Sequence, residues 1–334
     1  MKSKQDFTFI FDIISGIQNL KMKFLNKLIK KILILCIGND YFEKKIFLIG
    51  KRISRNQKIK SKIKNLTEVE FSVFSQWGDD GIIDWLCKNI PIKNRIFIEI
   101  GTENYRESNT RFLMMNKNWS GHLFEGNSKF VKEIKTQSIY WKYDLNAHNI
   151  MVDKNNIDKK IKSLNLPKEI GLLSLDIDGI DYWVWEKISV VEPIIFVCEF
   201  NSVLGDKKAI TVPYNSKFYR SKYHYSNLAF GASLEAFKLL SKKKNYRFLG
   251  TNLNGVNAYF IKENYYKFVK NKIISIDSFP SRIRESRNKD LKKTFISGVK
   301  RFDEIRKIGF FDLKKKKIIS LDNINHFYSK NWKQ

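Results

Sequence analysis

The chain has 334 residues, 43% of them hydrophobic and 14% aromatic, enough apolar material for a sizeable core and too much for a disordered chain. Its 62 Lys and Arg against 34 Asp and Glu give a formal net charge of +28. That excess runs along the whole chain together with abundant Ile, Asn, Phe and Tyr, the joint bias of an AT-rich coding sequence, so it does not single out a nucleic-acid partner.

Three cysteines (Cys36, Cys87 and Cys198), with no CxxC and no Cys/His cluster, argue against a disulfide framework and a structural zinc site and fit a reducing, cytoplasmic compartment. Asp6 and Asp12 interrupt the apolar opening stretch, which is therefore not read as a secretory leader, and no run reaches the ~18 apolar residues of a membrane span.

Residues 1–65 form a basic extension. Phe24, Leu25, Leu28, Ile29, Ile32 and Leu35 recur at helical spacing with Lys23, Lys27, Lys30 and Lys31 between them. Such a helix either packs its apolar stripe on the domain behind it or lies on an anionic membrane surface, a peripheral contact. Residues 51–65 read as a solvated helix face or a linker. In the next block Gly78 and Gly81 bracket Asp79 and Asp80, and Ile82, Ile83, Leu86 and Ile90 predict a short helix.

From about residue 93 short apolar runs alternate with helical or polar segments. Strands are predicted at 95–100, 121–127, 138–146, 171–179 and 193–201, which implies a parallel sheet covered on both faces. An irregular aromatic stretch follows, then a helix at 233–244 and two runs, 246–252 and 257–263, joined by an Asn254-Gly255 hairpin turn. The core domain is therefore 66–265, an α/β Rossmann-like unit ending in an antiparallel pair. Residues 266–334 read as a basic, mostly helical extension whose Lys314–Lys317 run forms a solvated face.

Ligands of such sheets bind at the carboxyl ends of the strands. Strand one ends in Glu99-Ile100-Gly101-Thr102-Glu103, where a glycine turn permits close approach to the backbone. Strand two ends in Glu125, 24 residues after Gly101, where a carboxylate accepts from both hydroxyls of a ribose. Asp144 is expected at the end of strand three, within reach of an adenine. There is no GxGxxG and no P-loop, so a ligand with a ribose but no pyrophosphate fits best. S-adenosylmethionine is such a ligand, and its cationic groups suit a crevice lined by Glu99, Glu103 and Asp176.

The ordered set Phe97-Ile-Glu-Ile-Gly101, Ser108-Asn-Thr110, Gly121-His-Leu-Phe-Glu125 and Leu172-Leu-Ser-Leu-Asp176-Ile-Asp178-Gly-Ile-Asp181-Tyr-Trp183 resembles class I methyltransferases of the FkbM-like kind. Ser75-Gln-Trp-Gly-Asp-Asp-Gly81 upstream, and Phe230-Gly-Ala-Ser-Leu234 and Asn257-Ala-Tyr-Phe260 downstream, are similar to a bacterial branch of that group. The resemblance spans about residues 70–265. It implies a seven-stranded, mostly parallel sheet with an antiparallel final strand, and cofactor contacts at Glu99, Gly101, Glu125 and Asp144; with Thr102, Glu103 and Asp176 these complete the candidate cofactor set. Members often modify sugars or surface polysaccharides. Such proteins often carry a second glycine after the first motif; here Glu103-Asn104-Tyr105-Arg106 stands in that place, with Asn104 the residue able to take a left-handed backbone.

Asp176 and Asp178, after strand four, and His224, in the aromatic loop, are the candidate catalytic residues, because a hydroxyl acceptor needs a general base. Asp176 and Asp178 with Glu199 and Asn201 form an oxygen-rich set in which Mg²⁺ is possible but not favoured. The competing view is that Asp178-Gly179 makes a turn and Asp181 caps the next helix. His122 reads as a core histidine, and His148 and His326 receive no role.

The leading function is S-adenosylmethionine-dependent O-methylation of a sugar or surface-glycan precursor, with no nucleic-acid partner. The alternatives are a non-catalytic methyltransferase-like module tied to glycan assembly or a membrane, an NAD-dependent oxidoreductase, for which the glycine fingerprint is missing, and a nucleic-acid methyltransferase, for which the base-flipping motif is missing.

Overall fold

A computed structural model describes residues 39–57, 61–323 and 326–332. The amphipathic stretch at 24–35 and Cys36 lie outside the described residues. The chain divides into two units between Arg52 and Ile53. In the first, the described residues belong to the helix Asn39–Gln57, where Tyr41, Phe42, Ile46, Leu48 and Ile49 are exposed. Among the described residues no helix is long and apolar enough to cross a membrane.

The second unit is built on a seven-stranded sheet. Its strands are β1 (Ile96–Ile100), β2 (Ser120–Glu125), β3 (Leu145–Asn149), β4 (Glu169–Leu175), β5 (Glu192–Glu199), β7 (Tyr246–Thr251) and β8 (Asn257–Lys262), in the order β3-β2-β1-β4-β5-β8-β7. The two-residue strand β6 (Ile210–Thr211) lies outside it. All neighbours pair in parallel except β8, which runs antiparallel to both β5 and β7. The final strand is thus inserted between β5 and β7. This is the Rossmann-like class I methyltransferase arrangement expected from the sequence.

The apolar runs explain the sheet. Successive side chains of a strand point to opposite faces. Phe97, Leu123, Leu172, Val197 and Tyr259 pack with Trp85 and Leu86 of the helix Asp79–Asn89. Ile98, Phe124, Leu173, Phe196 and Phe260 pack on the other face, where the Trp185 ring stacks on Phe196 at 3.9 Å. At the β7–β8 turn Gly255 has φ +62°, and a Cβ there would lie 2.4 Å from the Phe279 carbonyl oxygen, so only glycine fits.

Two expectations fail. Residues 138–142 form a helix, Ser138–Lys142, with Ile139 buried, and strand three starts only at Leu145. The aromatic run that suggested a strand is the short helix leading into it. The segment after residue 265 is not mostly helical either. Among the described residues its α-helix is Lys300–Ile305, and the strands β9 (Gly309–Asp312) and β10 (Lys317–Ser320) form a hairpin that pairs with β6. The Asp312 carboxylate accepts from the Lys314 and Lys315 backbone N–H groups at 2.9 Å each, and Lys316 takes φ +54°, so the exposed lysine run is a turn. Phe310 pairs with Ile319 and Phe311 with Ile318 across it, so the two adjacent apolar residues of each strand point to opposite faces of the hairpin.

Candidate active site

Four strands carry their last apolar side chain and then an acid on the same face of the sheet. Phe97 precedes Glu99, Leu123 precedes Glu125, Val197 precedes Glu199, and Asp176 continues the alternation of Leu172 and Ser174. The period of two therefore gathers Glu125, Glu99, Asp176 and Glu199 in a row along the carboxyl edge, on the side covered by the helix Asp79–Asn89. A cavity of about 1020 Å³ opens over this row.

At one end Gly101 turns the chain after β1 with φ +81°. A Cβ at Gly101 would stand 1.6 Å from the Asp176 carbonyl oxygen, so glycine is required here by the backbone approach alone. The next two residues close on β2: the Glu125 carboxylate accepts from the N–H groups of Thr102 at 3.2 Å and Glu103 at 2.8 Å, and from that of Asn127 at 2.7 Å. Glycine turn and acid are thus one assembly, and part of the acceptor capacity of Glu125 remains for a ligand.

The left-handed positions in the turn are Glu103 (φ +45°) and Tyr105 (φ +60°), where the sequence had suggested Asn104. Tyr105 does not crowd the cavity. Its ring is fully buried among the core residues, and its hydroxyl meets Thr110 Oγ1 at 2.9 Å.

Glu99 is almost wholly engaged by its own chain. It accepts from Ser108 Oγ at 2.7 Å, from the Asn109 N–H at 3.0 Å and from the Thr110 hydroxyl. This explains the Ser108-Asn109-Thr110 run: it is the donor set for a buried carboxylate, whose pKa burial still raises.

At the centre Asp176, Asp178 and Glu199 offer oxygens within 4.8 Å of one another. Burial, and then the neighbouring carboxylates, hold the protonation of Asp176 and Glu199 well above the ordinary carboxylate range. Arg220 Nη1 pairs with Asp178 at 2.6 Å, its guanidinium lying over the Phe230 ring at 3.9 Å. Asn201 is not part of this set, since its side chain bonds the Val203 N–H and the Leu228 and Phe230 carbonyls. The trio has the oxygen ligands a hard cation prefers, with Arg220 already supplying a positive charge. Asp178 takes φ +55°, and Asp181 accepts from the Ile177 and Gly179 N–H groups at 2.8 and 2.9 Å. Asp178-Gly179 thus makes the turn, and Asp181 ties that turn down without capping its helix, whose N-cap is Ile180 with no side-chain bond; Asp176 lines the cavity.

Two candidate residues lie elsewhere. Asp144 precedes β3, at the opposite end of the sheet from the cavity, because the helix Ser138–Lys142 takes up the residues expected to form the strand. The end of β3 is Asn149, whose Nδ2 bonds the Glu125 and Gly126 carbonyls at 3.0 Å, and Ile150, Met151 and Val152 give the cavity an apolar wall beside Glu125. His224 does not line the cavity. The helix Arg220–Tyr223 ends before it, His224 is extended, and its Nδ1 meets Ser226 Oγ at 2.7 Å. His148, given no role, stacks with His122, their ring nitrogens 3.2 Å apart.

Sequence reasoning missed Arg220, hidden in an aromatic loop, and the link between the lead-in and β8. Asp80 accepts the N–H groups of Val73, Phe74 and Ser75 at 2.7, 2.7 and 2.9 Å, while Asp79 accepts from Asn252, Asn257 and Tyr259. The two adjacent acids of the lead-in were the available signal.

No protein-family model matches the chain, and no curated protein resembles it in sequence. Some solved structures are similar to parts of the chain. An S-adenosylmethionine-dependent methyltransferase from Clostridium acetobutylicum is 10% identical with a TM-score of 0.34, over 55% of this chain and 90% of that one. A putative caffeoyl-CoA O-methyltransferase from Staphylococcus aureus is 13% identical with a TM-score of 0.37, over 71% and 99%. The N-terminal domain of EvdMO1 with SAH bound is 9% identical with a TM-score of 0.38, over 63% and 94%.

Proposed function

We propose that the chain is an S-adenosylmethionine-dependent methyltransferase acting on an oxygen of a sugar or glycan precursor. The observation that carries this reading is the assembly of Gly101, Thr102, Glu103 and Glu125 at the rim of the cavity. It gives a ribose two carboxylate oxygens and a close backbone, and offers no cradle for a pyrophosphate. Met151 and Val152 supply an apolar wall for the adenine. Asp176 and Glu199 lie toward the middle of the row, where they suit the cationic sulfonium and, as a carboxyl pair that shares a proton, acceptance of the proton lost by the acceptor hydroxyl. Methyl transfer is an in-line displacement, so the remaining demand on the protein is alignment.

A second reading, a non-catalytic module of the same fold, is favoured by the extent to which the chain's own donors engage Glu99 and Glu125. Calorimetric titration with S-adenosylmethionine and S-adenosylhomocysteine separates the two. Micromolar binding that Glu125→Ala weakens at least tenfold supports the enzyme. A folded wild-type protein that binds neither ligand leaves the module.

A further inference from the structure

Beyond Glu199 the row ends in two residues that the cofactor reading does not use. Asn257, the first residue of β8, is the register partner of Glu199, and Asp79 opens the helix Asp79–Asn89. Both line the cavity, with exposures of 4% and 0%. Asp79 Oδ1 accepts from Asn252 Nδ2 at 3.1 Å, Asn257 Nδ2 at 3.0 Å and the Tyr259 hydroxyl, three neutral donors. Asp79 Oδ2 and Asn257 Oδ1 have no partner at all. Burial raises the Asp79 pKa, so the ionised form beside a carbonyl oxygen with no donor is favoured only when a ligand supplies both a positive charge and donors.

The walls of the cavity point to the charge of that ligand. In a chain of net charge +28 they carry nine carboxylates, two arginines and no lysine among the described residues. Both arginines are committed, Arg220 to Asp178 and Arg301 to the Ile283 and Ser281 carbonyls. The open groups, Asp79 Oδ2 and Asn257 Oδ1, are acceptors, which a sugar phosphate cannot serve and an ammonium can.

Strand order then says which ligand reaches this end. From β2, which carries Glu125, to β8 is four strand steps, roughly 19 Å at ~4.8 Å each. That exceeds the reach from ribose to ammonium within S-adenosylmethionine, so with the ribose at Glu125 the cofactor's own amino group stops short of Asn257.

We infer that Asp79 and Asn257 form the acceptor end of the cavity and take a protonated amine of the methyl acceptor, as an amino sugar presents. This rests on the methyltransferase reading, because the cofactor sets the direction of the row.

The test titrates the full chain, saturated with S-adenosylhomocysteine, with D-glucosamine and with D-glucose. The amine is expected to bind at least tenfold more tightly. Asp79→Asn, which keeps the shape and removes the charge, is expected to abolish that preference and leave S-adenosylhomocysteine affinity within twofold; Asn257→Ala, which removes the carbonyl oxygen, is expected to weaken glucosamine and serves if the first variant does not fold. Equal affinity for the two sugars, binding of neither, or a preference that survives both variants overturns the inference. If Asp79→Asn weakens S-adenosylhomocysteine but not 5′-methylthioadenosine, which lacks the ammonium, the site belongs to the cofactor and the inference also fails. Should wild-type protein bind no cofactor, only the methyltransferase reading falls, and the sugar titration repeated without cofactor still decides the role of Asp79.

Discussion

Acids crowd two regions around this cavity, and the regions treat them in opposite ways. On the rim formed by the lead-in and the Gly101 turn, carboxylates are met by the chain's own donors: Asp80 by three backbone N–H groups, Glu125 by three, Glu99 by two hydroxyls and one N–H. In the stretch from β4 to β5, the oxygens of Asp176, Asp178 and Glu199 lie within 4.8 Å of one another, and Arg220 pairs with Asp178. An acid at a strand end is therefore not a role in itself. Where donors converge the acid builds the loop, and where acids converge, burial and then their mutual repulsion hold a proton ready for chemistry.

The largest effect tests the first half of that contrast. Asp80→Ala strands three N–H groups at once, two of them buried, and is expected to cost about 3 kcal/mol, read as a lower urea midpoint. Glu199→Gln, in the crowded region, is expected to cost less than ~1 kcal/mol, because it removes a charge that its neighbours already oppose. Equal losses would erase the distinction.

Glu125→Ala is the intermediate case, at about 1–2 kcal/mol, since two of its three donors, the Glu103 and Asn127 N–H groups, are only part-buried. Amide exchange at Thr102, Glu103 and Asn127 is expected to quicken while β1 and β2 stay protected. A uniform rise across the sheet would mean that Glu125 supports the core and not the turn alone.

Glu70 sharpens the comparison by pH. It has one backbone donor, the Leu253 N–H at 2.6 Å, and burial lifts its pKa from 4.5 to about 7. A carboxyl raised in the folded state binds its proton more tightly there than in the unfolded chain. Its contribution is full below pH 4.5 and is lost as pH rises through about 7. Wild-type protein is thus expected to lose more thermal stability between pH 5 and pH 8 than Glu70→Gln. Parallel curves would assign the pH dependence to other acids.

Much of this was legible in the sequence, and the failures have a common cause. The parallel strands announced themselves as short apolar runs, and the acids that follow them, Glu99, Glu125 and Asp176, stood out as lining a crevice at the carboxyl ends. What the sequence lacked was distance. Asp144 failed because the aromatic run 138–143 has the composition of a strand and the length of a helical turn. His224 failed because the end of a four-residue helix decides where the next side chain points. The Asp79 network joins positions more than 170 apart in the chain, beyond any local pattern.

The smallest stability effect carries the sharpest test of the crowded region. Asp178 is 57% exposed, and an ion pair so open to water contributes less than ~1 kcal/mol and fades with salt. Arg220→Ala is accordingly expected to shift the melting temperature by no more than a few degrees, with part of that shift due to the lost packing on Phe230. The positive charge of Arg220 nevertheless lowers the pKa of both Asp176 and Glu199, against burial and their mutual repulsion. Without it both carboxyls hold their protons to higher pH, and the pair becomes a poorer proton acceptor at neutrality. The variant is therefore expected to move the alkaline-directed rise of methyl transfer upward in pH while unfolding almost as wild type does. A profile that stays in place would mean that the pair takes no proton in the reaction, and that Arg220 serves only to hold the loop.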